Sequence, residues 1–410
     1  MSKPEAELWV QIGGADVRVG TIYAHRLGRT ESATFVYAPS YLPLKGAFAI
    51  DPALPLSGGS FQTSEGTKLF GALTDCAPDR WGRKLIERSE RERARKGGVT
   101  ERSFGELDYA LNVRDDLRQG ALRFRALGGD AWLGPADTSV PHLVTLTALL
   151  NAVDSIESDH PDGESLRLLL HAGSSLGGAR PKAAVINGHG ELVIAKFPRV
   201  ASDEWDVMAW EKLSLNLAER AGIHTPPNEL VTVAGRNVLL LNRFDRHGER
   251  RIGYVSAMTM LEANDGDQRS YLEIAEVIEQ HSSSASSDLW ELWRRVAFSI
   301  LISNTDDHLR NHGFLRAATG GAWNLSPAFD LNPNPAPGTK TLSTSIDGAS
   351  YDAEIDTLMA VAPYFRLNTK DAKTVLTKVH DSVSGWATEA RRLGIPNSQI
   401  DLMAGAFIGS

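Results

Sequence analysis

Cysteine is almost missing from this chain. Cys76 stands alone among 410 residues, which excludes an intrachain disulfide and a thiolate zinc cluster and leaves that thiol as a core residue. Long apolar runs are missing too. No stretch approaches the ~20 residues that cross a bilayer, and Met1-Ser-Lys-Pro-Glu-Ala-Glu lacks the apolar segment of a secretory signal, so the expectation is a cytoplasmic protein with no membrane partner. Positive charge is not in surplus. A net charge of −8 argues against nucleic-acid binding by the surface as a whole, and the one basic cluster, Ser89 to Lys96, mixes glutamate with arginine as a solvated helix face does. Familiar nucleotide and metal signatures are absent as well: residues 173–178 do not lead into the Gly-Lys-Ser/Thr of a Walker A loop, and neither Gly-x-Gly-x-x-Gly after a strand nor His-Glu-x-x-His occurs. His308 and His312, four apart, therefore read as hydrogen-bonding residues before they read as zinc ligands. No internal repeat is found.

What is present is a globular composition, 42% hydrophobic and 23% charged, long enough for two or three domains. Alternating segments between Glu7 and Tyr41 predict a small antiparallel sheet, and helices are predicted from Leu69 onward, at Glu106 to Leu111, at Leu143 to Val153 and at Glu164 to His171. A glycine-rich stretch, Ala172-Gly-Ser-Ser-Leu-Gly-Gly-Ala-Arg-Pro-Lys, then opens a predicted hairpin that ends Ala195-Lys-Phe-Pro. Lys196 sits in an otherwise apolar strand. It either faces solvent, as strand alternation allows, or is buried against an anion. A helix from Asp206 to Ala221 carries Glu211, two strands follow, and the second exits through Asn242-Arg-Phe-Asp-Arg. Beyond Gly253 the chain is predicted helical: Tyr271 to Gln280, a serine-rich linker at His281 to Ser287, and a helix capped by Asp288 that runs to Ile302. Further helices are expected at Asp352 to Ala362, Thr369 to Leu393 and Ser398 to Phe407.

The chemistry concentrates between Ser303 and Asn332. Asp306 and Asn311 are five residues apart, and Asp330 follows Phe329. Phosphoryl transfer by a kinase uses an aspartate at the attacking hydroxyl, an asparagine five residues on at Mg²⁺, and a second aspartate on the metal. Asn304-Thr-Asp-Asp could equally be no more than a helix stop, since such residues dominate caps and turns. The ordered set of Lys196, Glu211, Asp306, Asn311 and Asp330 favours the chemical reading, because kinases pair a strand lysine with a glutamate on the following helix.

Taken together, Ser174-Ser-Leu-Gly-Gly-Ala-Arg-Pro-Lys, Ala195-Lys-Phe-Pro, Asn242-Arg-Phe-Asp-Arg, Asn304-Thr-Asp-Asp-His-Leu-Arg-Asn and Ser326-Pro-Ala-Phe-Asp resemble the HipA family of bacterial toxin kinases. Phe70-Gly-Ala-Leu-Thr-Asp-Cys-Ala-Pro-Asp-Arg-Trp resembles that family's N-terminal region. The resemblance implies an α+β, two-lobed protein-kinase-like fold with a β-rich N-terminal region and an all-helical C-terminal lobe. The division expected is an N-terminal subdomain over 1–125, a nucleotide-binding lobe over 126–248 and a helical catalytic lobe over 249–410. It further implies an ATP- and Mg²⁺-dependent serine/threonine kinase, the toxin of a type II toxin-antitoxin pair. Its partners would be a HipB-like helix-turn-helix antitoxin, operator DNA only through that antitoxin, and a protein substrate such as an aminoacyl-tRNA synthetase. By position, Asp306 is the base, His308 orients its loop, Asn311 and Asp330 hold Mg²⁺, and Lys196, with Glu211, meets the phosphates. Ser175, Gly177 and Gly178 belong to the phosphate loop, and Asn242, Phe244 and Asp245 to the adenine and ribose. Ser175, or its neighbour Ser174, matches the site of self-phosphorylation. Asn242 stands where a glutamate is common, and the turn between Lys182 and Lys196 is short. The alternatives are a catalytically weak corepressor and a kinase of small molecules.

Overall fold

The structure, a computed structural model, describes residues 5–28, 30–135, 140–158, 163–172, 180–199, 202–318 and 321–408. Contacts divide the chain into two compact units. One comprises Met1–Ala201 with Val233–Arg236 and Asp245–Val255, and the other Ser202–Thr232, Asn237–Phe244 and Ser256–Ser410.

The first unit begins with strands β1 (Glu5–Ile12), β2 (Ala15–Leu27), β3 (Thr30–Tyr37), β4 (Ser60–Gln62) and β5 (Arg123–Arg125), paired antiparallel in the order β4-β3-β2-β1-β5. Period-two alternation puts Ala6, Leu8 and Val10 of β1 and Ala33, Phe35 and Tyr37 of β3 inside. A bulge in β2 at Val19 shifts its register against β1 between Leu8 and Trp9, next to Gly20, where a Cβ would lie 2.3 Å from the Val36 carbonyl oxygen and 2.5 Å from the Phe35 ring. Only glycine fits there. Helices α1 (Gly71–Asp75), α2 (Arg80–Gly97), α3 (Glu106–Leu111), α4 (Leu146–Glu157) and α5 (Gly163–His171) follow. Asp79 caps α2 by accepting from the Gly82 amide at 2.7 Å, Gly98 in the left-handed region ends it, and Trp81, Leu85, Ile86 and Ala94 form its buried face. Ser89 to Lys96 lies on this helix. Cys76 is buried. Strands β6 (Lys182–Ile186) and β7 (Leu192–Lys196) make the expected antiparallel hairpin.

The second unit is mainly helical. Helix α6 (Val207–Ala221) is capped by the Asp206 side chain at its start and by Gly222, φ 85°, at its end. Strands β8 (Asn228–Val233) and β9 (Arg236–Asn242) are joined through Ala234 and Gly235, both at positive φ, as a two-residue hairpin turn requires. Then come α7 (Ala257–Met260), α8 (Tyr271–His281), α9 (Ala285–Leu301), α10 (Ile355–Ala360), α11 (Thr369–Ser384), α12 (Trp386–Arg392) and α13 (Asn397–Met403). Trp386 stacks on Phe407 at 4.3 Å, and both rings meet the fully buried Trp210 at about 6 Å. Four expectations need correction. The C-terminal region is not all-helical, since Gly313–Arg316 and Trp323–Leu325 form an antiparallel pair of strands after α9. Helix α9 starts at Ala285, not after Asp288; Asp288 lies in its first turn, and its carboxylate accepts from Ser282 Oγ at 2.7 Å and the Leu325 amide at 3.0 Å. The stretch from Thr369 to Leu393 breaks at Gly385 into α11 and α12. The expected helix at Asp352 to Ala362 is shorter, Ile355–Ala360.

Candidate active site

Helix α9 delivers the chain to the Asp306 loop. Leu289, Leu292, Trp293, Val296, Ile300 and Leu301 recur at helical spacing, and all are buried, so the end of this helix is held against the core of its unit. Ser303 then turns into the left-handed region, φ 53°, and the helix stops with the Asn304 amide bonded to the Ser299 carbonyl at 2.8 Å. Asp306 is exposed, and among the described residues no hydrogen bond reaches its carboxylate. The loop is closed from inside: Asn311 donates its side-chain amide to the Asp306 carbonyl at 3.0 Å, and its own backbone amide bonds the His308 carbonyl at 2.8 Å. With the nitrogen so committed, the oxygen of the Asn311 side chain is its remaining donor atom, of the hard kind that suits Mg²⁺.

The Asp330 segment is stitched to the same loop. The Asn332 amide reaches Asn304 Oδ1 at 3.4 Å, the Asn334 amide donates to the Ser303 carbonyl at 3.2 Å, and Asn334 Nδ2 donates to Thr305 Oγ1 at 2.7 Å. Asp330 sits at φ 61°. Left-handed backbone costs about 1–2 kcal/mol for a residue with a Cβ, and strain of this kind gathers at functional positions. Phe329 packs on Phe244 with ring centroids 5.7 Å apart, bringing one residue of the expected adenine segment against the residue before Asp330. Asn242 ends β9, its amide bonded to the Pro227 carbonyl at 2.8 Å. Glu211 is buried on α6.

Asp307 and its partners were not expected from sequence. This carboxylate is buried and accepts from the Tyr271 hydroxyl at 2.7 Å and the Ser299 hydroxyl at 3.2 Å, with His312 Nε2 3.2 Å away. Burial pushes its pKa up, but the charge and hydrogen bonds of His312, Tyr271 and Ser299 outweigh it and hold the group below the usual carboxylate value. His312 thus faces Asp307 at ion-pair distance, and among the described residues neither of its ring nitrogens nor His308 Nδ1 makes a well-aligned hydrogen bond. The two histidines do not form a recognisable metal site: among the described residues no cluster of three or more His, Cys, Asp or Glu is placed to hold an ion. Asn311 and Asp330 alone would suit Mg²⁺, which takes one or two protein ligands and fills its shell with water and phosphate oxygens.

In the first unit Lys196 is buried, which removes the solvent-facing alternative for it. It pairs across the hairpin with Lys182, whose ammonium lies 2.9 Å from Asp79. Burial raises the Asp79 pKa against the pull of Lys182 and of the Gly82 and Trp81 amides. Asp245 is also buried here and accepts from the Gly120 amide at 2.7 Å and Arg246 at 2.9 Å. Ser174, Ser175, Gly177 and Gly178 lie outside the described residues.

Across 98% of its length the chain superposes on HipA from a Shewanella oneidensis toxin-antitoxin complex of HipA, HipB and operator DNA, with a TM-score of 0.66 over 94% of that protein at 17% identity, a similarity of fold. A second solved structure, the Helicobacter pylori proinflammatory kinase CtkA, aligns at a TM-score of 0.43 and 16% identity over 56% of this chain and 87% of its own. A Haemophilus influenzae protein provisionally named as a kinase is 26% identical over 184 residues, 39% of this chain. The chain spans about half the length of that relative, 52%. Residues 174–387, a little over half of the chain, match the HipA-like C-terminal domain family, and the chain belongs to it.

Proposed function

We propose that this protein is an ATP- and Mg²⁺-dependent serine/threonine protein kinase, the toxin of a type II toxin-antitoxin pair. The observation that carries the reading is the stitched pair of loops in the second unit, with Asp306 exposed, Asn311 folded back on the Asp306 carbonyl and Asp330 held in a strained backbone beside them. Asp306 accepts the proton of the attacking hydroxyl, and His308 helps to set the shape of its loop. Asn311 and Asp330 hold Mg²⁺, which supplies charge neutralisation at the phosphates. Lys196, supported by Glu211, binds the phosphates, residues 174–178 cover them, and Asn242, Phe244 and Asp245 take the adenine and ribose. The division at 125 and 248 belongs to the same proposal. The partner of the Shewanella protein is HipB on operator DNA, and a HipB-like antitoxin is the partner proposed here.

The substrate class is proposed as protein, an aminoacyl-tRNA synthetase whose phosphorylation would arrest translation. The test is phosphoproteomics on cells expressing the wild-type chain or Asp306→Ala. New phosphoserine or phosphothreonine on a synthetase, present only with the wild type, is the expected result. Active enzyme that labels only small metabolites would replace this reading with a small-molecule kinase, and no Asp306-dependent labelling at all would favour a corepressor.

A further inference from the structure

We propose that Asp307 is a positioning residue: through His312 it fixes the Asn311 side chain as a metal ligand, and through its own backbone it fixes Asp306. The inference deepens the kinase reading and rests on it. Adjacent residues divide the labour, Asp306 exposed to a substrate and Asp307 buried among anchors from three separate elements. Tyr271 is the first residue of α8, Ser299 lies in the last turn of α9, and Thr344 donates its hydroxyl to the Asp307 carbonyl at 2.7 Å. The fourth anchor, His312, directly follows Asn311, so the contact between Asp307 and His312 closes the arc that carries both the base and the metal ligand. His312 is itself held, its carbonyl accepting from the Ala257 amide at 2.7 Å and its ring meeting Tyr271 edge-on at 5.7 Å.

The chemistry needs such a support. Transferring a phosphoryl group is almost entirely positioning and electrostatics, and a constellation on a loop must be held to fractions of an ångström by residues behind it. The bonds inside the arc, Asn311 to the Asp306 carbonyl and to the His308 carbonyl, fix its internal shape but not its place against α8 and α9. Asp307 supplies that reference. Because a lone carboxylate at this depth is strongly penalised, the anchors and the acid hold one another, and removing the charge loosens the His312 end while the Tyr271 and Ser299 hydroxyls can still bond an amide oxygen.

The test uses the full chain with Mn²⁺ and ADP as probes, comparing wild type, Asp307→Asn, Tyr271→Phe, His312→Gln and His312→Leu. Electron paramagnetic resonance reads Mn²⁺ binding in the nucleotide complex, and hydrogen exchange reads the amides of residues 306–312 without ligand. In Asp307→Asn, Mn²⁺ affinity is expected to fall about tenfold and the loop amides to exchange faster. Tyr271→Phe keeps the contact with His312 and should lower the melting temperature with Mn²⁺ affinity within about twofold of wild type. His312→Gln, which keeps a donor, should retain more Mn²⁺ affinity than His312→Leu, and this pair carries the comparison if Asp307→Asn does not fold. An unchanged Mn²⁺ affinity in Asp307→Asn, or an equal loss in Tyr271→Phe, overturns the positioning role alone. A wild type with no nucleotide-dependent Mn²⁺ site overturns the kinase reading and the positioning role with it.

Discussion

Asp306 and Asp330 are proposed to act on different partners, and substitution should separate them. Asp306→Asn keeps the shape of the loop and removes the proton acceptor, so phosphoryl transfer should fall by about 10²–10⁴-fold with Mg²⁺-dependent ATP affinity nearly unchanged. Asp330→Asn is the clean partner variant, since asparagine tolerates the left-handed backbone at φ 61°. It should abolish transfer and also weaken ATP binding in the presence of Mg²⁺. Calorimetry on both variants checks this, and equal affinities for both and for wild type would contradict the metal assignment. The spacing of Asp306, Asn311 and Asp330 was legible in the sequence because it is local and typed by chemistry. Asp307 was not, because nothing in a linear reading brings together Tyr271, Ser299 and His312, the first of them 36 residues away.

At the scale of elements, periodicity and caps were read well where local chemistry decides them, as in α6 between Asp206 and Gly222. They were misread where tertiary bonds intervene: Asp288, a good cap by type, is drawn to Ser282 and Leu325. Another long-range anchor sets a pH prediction. Glu389 on α12 is bonded by Arg392 and meets Asn216 at 2.7 Å and Arg220 at 2.6 Å, and against the upward push of its burial these partners hold its pKa down to about 2. A depressed carboxylate contributes stability that is fully present above its unfolded pKa near 4.5 and is lost as pH falls through about 2. Allowing for solvent screening at the half-exposed arginines, Glu389→Gln should cost about 2 kcal/mol at pH 7. The gap to wild type should close between about pH 4.5 and 2; a gap independent of pH in denaturant melts would contradict it. The glycine-rich loop carries a separate prediction. If the proposed function holds, a phosphate on Ser175 or Ser174, about −1.5 to −2 in charge, would compete with ATP for Lys196 and Arg180 and would make the enzyme inactivate itself. Intact-mass and peptide mass spectrometry should find it on the wild type and not on Asp306→Ala, and full ATP affinity in the phosphorylated form would sink the switch.

At the scale of the whole molecule, a net charge of −8 predicts that in the proposed complex most DNA contacts would come from the antitoxin. Among the described residues no helix is long and apolar enough to cross a membrane. In a gel shift at physiological salt, Asp306→Ala should still join a HipB-like antitoxin on operator DNA, and tight operator binding by this chain alone would contradict that division. The family was legible from ordered motifs, whereas the protein substrate is not, since target choice lies in surface shape outside the phosphate machinery. The central claim is phosphoryl transfer from this one loop. Its most direct measurement is ATP turnover and label transfer by purified protein with Mg²⁺, beside Asp306→Ala prepared identically. Transfer by the wild type, lost on chelating Mg²⁺ and absent from Asp306→Ala, is the predicted result; equal turnover by both proteins, or none by the unphosphorylated wild type, would contradict it.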